Sequence, residues 1–211
     1  MFSPENADEV LAALGDKFLQ GLVSAVGGTR NDLEEFRQWR PGWFPTMSDR
    51  CLANLIHDRL WAHMLGVSDE PAQHVVMYES GATREVVVDR FRLRLKRHHF
   101  DDRVSNYPTQ TALDFWVQNN SGVLPGMEEI TLAAGYRWHT DTKSVGAPVI
   151  SYRDGQEKVI WAVELLSGAA GATGGGPVAP ISWNPLSGPD LPAIDVNGTY
   201  KTGTEGTSGK P

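Results

Sequence analysis

The sequence predicts an α+β domain in which helices cover one face of an about five-stranded, mostly antiparallel sheet, followed by a disordered tail. Up to residue 65, apolar residues recur every three or four positions, which is the period of an amphipathic helix. From residue 73 to residue 166 they alternate with polar residues, as in a strand. From residue 167 onward glycine and proline dominate, and neither period remains.

Two helices are predicted in the N-terminal part, residues 6–65. The first covers residues 6–26, where apolar side chains recur at every fourth position, and we expect it to end at Gly27 and Gly28. The second covers residues 46–65. Thr46 stands three residues before Asp49, as in a capping box, and Gly66 is expected to close this helix.

The link between the two helices is rich in aromatic residues and proline. We interpret it as a packed loop, because large aromatic side chains are usually buried. The alternative is that Trp39 and Trp43 form a docking surface for another molecule.

The sheet-rich part, residues 72–166, contains two predicted hairpins with a short helix between them. A glycine-containing connection at residues 80–83 joins the first two strands, and Asp154 with Gly155 joins the last two. Thr109 is expected to begin the helix over residues 108–118. The five predicted strands are residues 74–79, 84–97, 129–139, 148–152 and 158–165.

Residues 1–166 are thus predicted to form a single domain and residues 167–211 a flexible tail. The tail has 10 glycines and 6 prolines among its 45 residues, so few apolar side chains remain to offset the entropy of an ordered backbone. Trp183 lies between prolines in this tail. We expect it either to bind a partner or to pack back on the domain.

The charge and cysteine content exclude several classes of protein. A formal charge of −7 over 211 residues is too acidic for a protein that coats duplex DNA by bulk charge. The single cysteine, Cys51, excludes an internal disulfide framework and fits a cytoplasmic localisation; we interpret it as a buried packing residue. No basic leader with an apolar run and no stretch of about 18 apolar residues occurs, so we expect neither export nor a membrane partner.

A row of cations is the most informative feature of the sequence. Four of them share one face of a strand while apolar residues take the other face: Arg90, Arg92, Arg94 and Lys96. Because arginine forks suit phosphate oxygens, we interpret the row as a binding surface for a nucleic acid or nucleotide. Residues after the strand would extend it, namely Arg103, Asn106 and Thr109. The alternative is a solvated face neutralised by Glu79, Glu85 or the acids of a nearby helix.

The second predicted helix carries a stripe of four chemically different side chains: Asn54, His57, Asp58 and Trp61. A histidine next to a carboxylate can act as a general acid or base near neutral pH, so His57 and Asp58 are the candidate catalytic pair. Asn54 would orient a substrate. The alternative is that His57 and Asp58 only make contacts on the helix surface.

No metal site and no cofactor is predicted. The histidines lack the spacing that zinc ligands show, and a single cysteine cannot build a thiolate site. The sequence also has no Walker loop, no dinucleotide-binding glycine pattern and no Gly-x-Ser-x-Gly nucleophile motif.

Five segments occur in a characteristic order: ANLIHD at 53–58, RLKR at 94–97, RVSNYPTQ at 103–110, GY at 135–136 and WAVEL at 161–165. Together they resemble a family of bacterial and phage proteins encoded beside a helix-turn-helix protein and an ImmA/IrrE-type zinc peptidase, in toxin–antitoxin or phage-defence loci. The resemblance implies that one site combines Asn54, His57 and Asp58 with Arg94, Lys96, Arg103 and Asn106. This chain departs from the family in its Leu95, where an aromatic residue is usual, in its Arg97, where a lysine is usual, and in its long tail.

These observations favour a phosphate- or nucleic-acid-interacting effector, the toxin-like component of such a locus. One alternative is a non-enzymatic protein-interaction module that binds an antitoxin or regulator through the basic face or through Trp183. Another is a phage structural or accessory protein whose tail is a tether. The sequence assigns no reaction.

Overall fold

The computed structural model describes residues 2–68, 75–80, 83–106, 109–118, 129–155 and 157–165. All of them belong to the first of two units, Met1–Ala172; the second unit, Thr173–Pro211, lies outside the described residues. The predicted tail, with Trp183, lies outside them as well, so the predictions made for it stay predictions.

The described part contains four α-helices, one 3₁₀ turn and six strands. The helices are α1 (Ala7–Leu14), α2 (Asp16–Trp39), α3 (Asp49–Ser68) and α4 (Gln110–Trp116), and the 3₁₀ turn covers Phe44–Thr46. The strands are β1 (Val75–Ser80), β2 (Thr83–Val88), β3 (Phe91–His98), β4 (Ile130–His139), β5 (Ser144–Asp154) and β6 (Lys158–Glu164).

The six strands form one sheet in chain order, and this confirms the predicted α+β class. All neighbouring strands are antiparallel except β3 and β4, which are parallel, so the sheet is mixed. The count of five was close but missed one strand, because the segment predicted as a single strand over residues 84–97 turns back on itself. Asp89, at a φ of +49°, makes a tight turn in which Val88 pairs with Phe91.

Helices lie on both faces of the sheet, and the prediction that they cover one face was wrong in this respect. The parallel pair β3 and β4 requires a crossover connection, and this crossover contains α4. Phe115 and Trp116 of α4 pack on Ala133, whereas its strand neighbours Leu132 and Ala134 belong to the core on the other face.

The main core lies between the sheet and the helices α1, α2 and α3. Alternate positions of β3 point into it, namely Phe91, Leu93 and Leu95, and each is at most 2% exposed. Burial of such a side chain contributes about 1.5–3 kcal/mol, so this face of β3 is fixed against the helices. The opposite face of β3 therefore carries Arg92, Arg94 and Lys96, as the alternation predicted.

The N-terminal helix predicted over residues 6–26 is two helices in the structure. Gly15, at a φ of +82°, ends α1 and precedes α2. Gly27 and Gly28 lie inside α2 and do not end it. A Cβ at Gly28 would stand 2.6 Å from the ring of His63, so the glycine allows α2 and α3 to pack closely.

The second helix also begins later than predicted. Thr46 lies in the 3₁₀ turn, and the hydroxyl of Ser48 accepts a 3.2 Å hydrogen bond from the backbone N–H of Cys51 in the first turn of α3. The helix continues past Gly66 to Ser68. Cys51 is exposed, which corrects its interpretation as a buried packing residue.

The aromatic link is only partly packed. Phe44 is buried, but the side chains of Trp39 and Trp43 are 64% and 57% exposed. Arg40 stacks on both indole rings, with its guanidinium carbon 4.0 Å and 4.9 Å from their centroids. The prediction of a fully packed loop was therefore wrong for the two tryptophans.

The later elements follow the sequence pattern closely. Thr109 caps α4 by accepting a 3.2 Å hydrogen bond from the N–H of Ala112, as predicted. The strands expected over 129–139, 148–152 and 158–165 are present, although β5 begins earlier, at Ser144. In β4, Gly135 has a φ of +154° and a Cβ there would collide with the carbonyl oxygen of Lys96, so glycine is required at this point.

None of the described helices is by itself long and apolar enough to cross a membrane. The helices α1 and α2 taken together have the length and the apolar composition of a membrane span, but the chain bends by 89° between them.

Candidate functional site

A cavity of about 130 Å³ lies between α3 and the end of β3, and we name it the β3–α3 cavity. Its lining combines cationic, neutral polar and apolar side chains. The lining residues are Ala53, Asn54, His57, Leu60, Leu95, Lys96, Arg97, Ser105 and Tyr136.

The cavity forms where β3 loses its neighbour on one side. The last described pair between β2 and β3 joins Val86 to Leu93. The chain after β3 then returns to the same edge, where the N–H of Ser105 donates a 3.1 Å hydrogen bond to the carbonyl of Arg97. Lys96 lies between these two points, so its side chain and that of Arg97 reach one opening although neighbouring strand residues face opposite sides.

Lys96 is half-buried, and a neutral group holds its ammonium. Its Nζ donates a 2.9 Å hydrogen bond to Oδ1 of Asn106. Burial, and secondarily the positive charge of Arg94, lower the pKa of Lys96 to about 8. Lys96 is consequently a cation at neutral pH whose charge the protein stabilises poorly.

Arg97 is the second cation of the cavity. Its Nε lies 3.5 Å from the hydroxyl of Tyr136, and its guanidinium carbon lies 4.2 Å from the centroid of the Trp138 ring. Its Nη2 is buried without a hydrogen-bond partner among the described residues. Within that part of the chain no carboxylate lies within 4.0 Å of Lys96 or Arg97.

His57 faces the same cavity from α3. Burial lowers its pKa below the ordinary value of 6.5, and the charges of Arg84 and Lys96 lower it further; the charge of Asp58 acts in the opposite direction with less effect. His57 is therefore neutral at pH 7 and is in the form that accepts a proton.

Asp58, predicted to assist His57, is engaged elsewhere. Its Oδ1 lies 2.5 Å from Nη1 of Arg84, which also pairs with Glu79 at 2.8 Å. The Asp58 side chain is 65% exposed and does not line the β3–α3 cavity. Only the effect of the Asp58 charge on the pKa of His57 supports its predicted role beside that residue.

The basic row is largely neutralised by the protein itself. Glu85 is 1% exposed, and its two oxygens accept hydrogen bonds from Arg92 at 2.5 Å and Arg94 at 2.7 Å. Arg92 also pairs with Glu129 at 3.2 Å, and Arg94 stacks on the ring of Phe115. Glu85 therefore neutralises these two arginines, as the alternative interpretation of the row expected, and they form no open surface for phosphate.

The remaining predicted residues also lie outside the cavity lining. Arg103 is 67% exposed in its side chain and pairs with Asp101 at 2.6 Å. Thr109 serves as the cap of α4. Arg90 lies in the turn before β3 and stacks on Phe2, so it does not belong to the row. Of the predicted residues, Asn54, His57 and Lys96 line the cavity, and Asn106 touches Lys96.

Three polar lining residues were missed in the sequence: Arg97, Ser105 and Tyr136. Arg97 occupies the position two after Leu95, on the face of β3 that is otherwise apolar. The sequence signal that could have identified Arg97 was a cation at the end of an otherwise apolar strand face. Tyr136 pairs in register with Arg97, a fact that requires the parallel β3–β4 arrangement.

A second polar cluster is buried on the α4 side of the sheet. His98 and Arg153 are both 0% exposed, and Nε2 of His98 lies 3.0 Å from the hydroxyl of Ser151. Burial, and then the charges of Arg153 and Arg137, lower the pKa of His98 to about 3. The neutral imidazole and the serine hydroxyl lie inside the fold, away from any substrate in solvent, so we interpret this pair as structural.

The described ranges hold no group of three or more His, Cys, Asp or Glu side chains arranged to bind a metal ion. No protein-family model, curated protein or solved structure matches the chain.

Proposed function

We propose that the β3–α3 cavity binds a phosphate-bearing ligand, a nucleotide or a nucleic acid, and that the protein is the toxin-like effector of a toxin–antitoxin or phage-defence locus. The observation that supports binding is a pair of cations, Lys96 and Arg97, lining one cavity without a described carboxylate beside them. Carboxylates are plentiful in a chain of net charge −7, so it is informative that none of the described ones lies within 4.0 Å of either cation. The type of locus rests on the resemblance of the five segments alone.

Each side chain has a distinct role in this proposal. Lys96 and Arg97 hold the anion, since charge-assisted hydrogen bonds to phosphate oxygens are about twice as strong as neutral ones. Asn54 and Asn106 orient it through their amides. His57 is the group that accepts a proton from the ligand or from water, because it is neutral at pH 7.

Binding of a fluorescein-labelled single strand and of a fluorescent ATP analogue, followed by anisotropy, tests this function. We expect the double variant Lys96→Met, Arg97→Gln to bind at least about tenfold more weakly than the wild type. The matched control is Lys158→Met, Arg59→Gln. It makes the same two substitutions at exposed cations that pair with Asp154 and Asp32 outside the cavity.

The control should keep the affinity of the wild type. Equal affinity of all three proteins, each shown to be folded by circular dichroism, would contradict the proposal. Loss of affinity in both double variants would also contradict it, because net charge and not the cavity would then govern binding.

The exposed tryptophans favour a second candidate, a protein-interaction module. A groove of about 410 Å³ between α2 and α3 is lined by Trp39, Phe36 and Leu55 among others, and Trp43 continues the aromatic surface. In a growth-inhibition assay, Trp39→Ala with Trp43→Ala would abolish the phenotype under this candidate. Lys96→Met with Arg97→Gln would abolish it under the first.

A further inference from the structure

The β3–α3 cavity is too small for a whole nucleotide. Pockets that enclose small organic ligands have volumes of about 300–1,000 Å³. The cavity has about 130 Å³, less than half of the lower end of that range. A single phosphate group, with its four oxygens, is of this size, whereas a base and a sugar would have to remain outside.

The cations around the cavity do not form a track for a nucleic acid backbone. Proteins that follow a single strand place a series of cations along a groove. Here Arg92 and Arg94 are bound by Glu85, and Arg103 is bound by Asp101. The uncompensated positive charge in this region of the described chain is thus confined to one point.

Two orphaned hydrogen-bond donors accompany that point of charge. Nη2 of Arg97 and Nδ2 of Asn106 are both buried and lack a partner among the described residues. Arg97 lines the cavity, and Asn106 holds Lys96 through its other amide atom. An unpaired buried donor is costly, and a group rich in acceptor oxygens inside the cavity would relieve the cost at Arg97, which lines it.

From size, charge and donors together, we propose that the β3–α3 cavity receives a phosphomonoester end-on and discriminates against phosphodiesters. A monoester carries a charge of about −1.5 to −2 at pH 7, which matches two cations, whereas a diester carries one charge. A monoester also has only one ester link, so its other three oxygens are free to contact the protein. The ligand is therefore a mononucleotide or a terminal phosphate of a nucleic acid strand. This inference rests on the proposed function.

Thermal unfolding of the wild-type protein with small esters tests the discrimination without any variant. We expect about 10 mM methyl phosphate to raise the midpoint of unfolding and the same concentration of dimethyl phosphate to leave it unchanged, since only a ligand that binds the folded state stabilises it. An equal shift with both esters would overturn the proposal.

Strand binding then identifies the source of the phosphate. A labelled single strand with a 5′-phosphate, one with a 3′-phosphate and one with both ends unphosphorylated are compared, with AMP as competitor. We expect at least a tenfold higher affinity for one phosphorylated strand, lost in Lys96→Met, Arg97→Gln. If no strand binds, but AMP raises the midpoint of unfolding of the wild type and not of the double variant, the proposal is also supported, with a mononucleotide as the ligand.

The contrary outcomes separate the two proposals. If the unphosphorylated strand binds as tightly as the others and the double variant abolishes that binding, the cavity binds phosphodiesters, so the end-on inference fails while the proposed function stands. If no phosphate compound binds or shifts the midpoint of unfolding, both proposals fail.

Discussion

Lys96 illustrates how a single residue can bear a charge that its surroundings oppose. It is half-buried, it lies near Arg94, and its ammonium has an amide oxygen as acceptor. Such a cation is costly to the folded protein until an anion arrives, and residues of this kind are concentrated at functional sites.

The lowered pKa of Lys96 predicts a pH dependence of stability. Between pH 8 and about pH 10, folded Lys96 loses its proton while the unfolded chain, with a lysine pKa near 10.5, still binds it. The unfolded state then binds more protons, so the free energy of unfolding should rise with pH by up to about 1.4 kcal/mol per pH unit.

Urea unfolding of the wild type and of Lys96→Met across this range measures the effect. The difference between the two proteins isolates the contribution of Lys96 from that of the other titrating groups. A difference that stays constant from pH 7 to pH 10 would contradict the buried, uncompensated position of the ammonium.

Arg97 shows the limit of residue-level prediction. Alternation along the strand correctly put Arg92, Arg94 and Lys96 on one face, and it therefore put Arg97 on the other. The sequence could not show that the free edge of β3 brings both faces to one opening beneath α3, because that depends on where β2 departs.

At the scale of elements, the carboxylate of Glu85 on β2 fixes two arginines of β3. It is 1% exposed and it is shared by Arg92 and Arg94, so its removal leaves Arg94 without a described carboxylate partner and Arg92 with only the exposed Glu129. We expect Glu85→Gln to lower the free energy of unfolding by about 3–5 kcal/mol, as for other partners removed from buried pairs.

Glu79→Gln is the matched control for Glu85→Gln in the neighbouring strand. Glu79 is 50% exposed in its side chain, and its partner Arg84 retains Asp58, so the loss should stay below about 1 kcal/mol. Urea unfolding at pH 7 compares the two. Losses of equal size would show that Glu85 does not have the central role assigned to it.

The contact between β3 and β4 depends on glycine at position 135. Gly135→Ala would set a Cβ against the backbone of Lys96, and we expect a loss of more than about 2 kcal/mol in the free energy of unfolding. Gly27→Ala, inside α2 with nothing within 4 Å of the new Cβ, should instead gain up to about 1 kcal/mol. A tolerated Gly135→Ala, measured by thermal unfolding, would contradict the tight β3–β4 approach.

Element boundaries were predicted well where local chemistry decides them and poorly where packing does. Thr109 and the Asp154–Gly155 turn were identified because a cap and a hairpin turn need particular residues. The continuity of α2 through Gly27 and Gly28 was missed, because it depends on the approach of His63 from another helix. The turn at Asp89 was missed because alternation on both sides concealed it.

At the scale of the whole molecule, the α+β class followed from periodicity, but the mixed sheet did not. Two parallel neighbouring strands need a crossover connection. The helix after Thr109 was predicted, but not that it forms such a crossover between the parallel strands β3 and β4 and therefore lies on the opposite face of the sheet. Of the predicted site residues, Asn54, His57 and Lys96 line the cavity, while the position of the cavity at a strand edge required the structure.

The distribution of charge over the described part of the molecule favours the cavity over the basic row as the site for an external anion. With the row neutralised, Lys96 and Arg97 provide two phosphate contacts, whereas a functional row of four cations would provide about twice as many. Each contact with a single strand contributes about −0.7 to the slope of log affinity against log salt.

The salt dependence of binding of a labelled, phosphorylated single strand is therefore the most direct measurement. We expect a slope of about −1.4 for the wild type and almost no remaining binding for Lys96→Met, Arg97→Gln. A slope of about −3 that persists in this double variant would show that the basic row, and not the β3–α3 cavity, receives the negative charge.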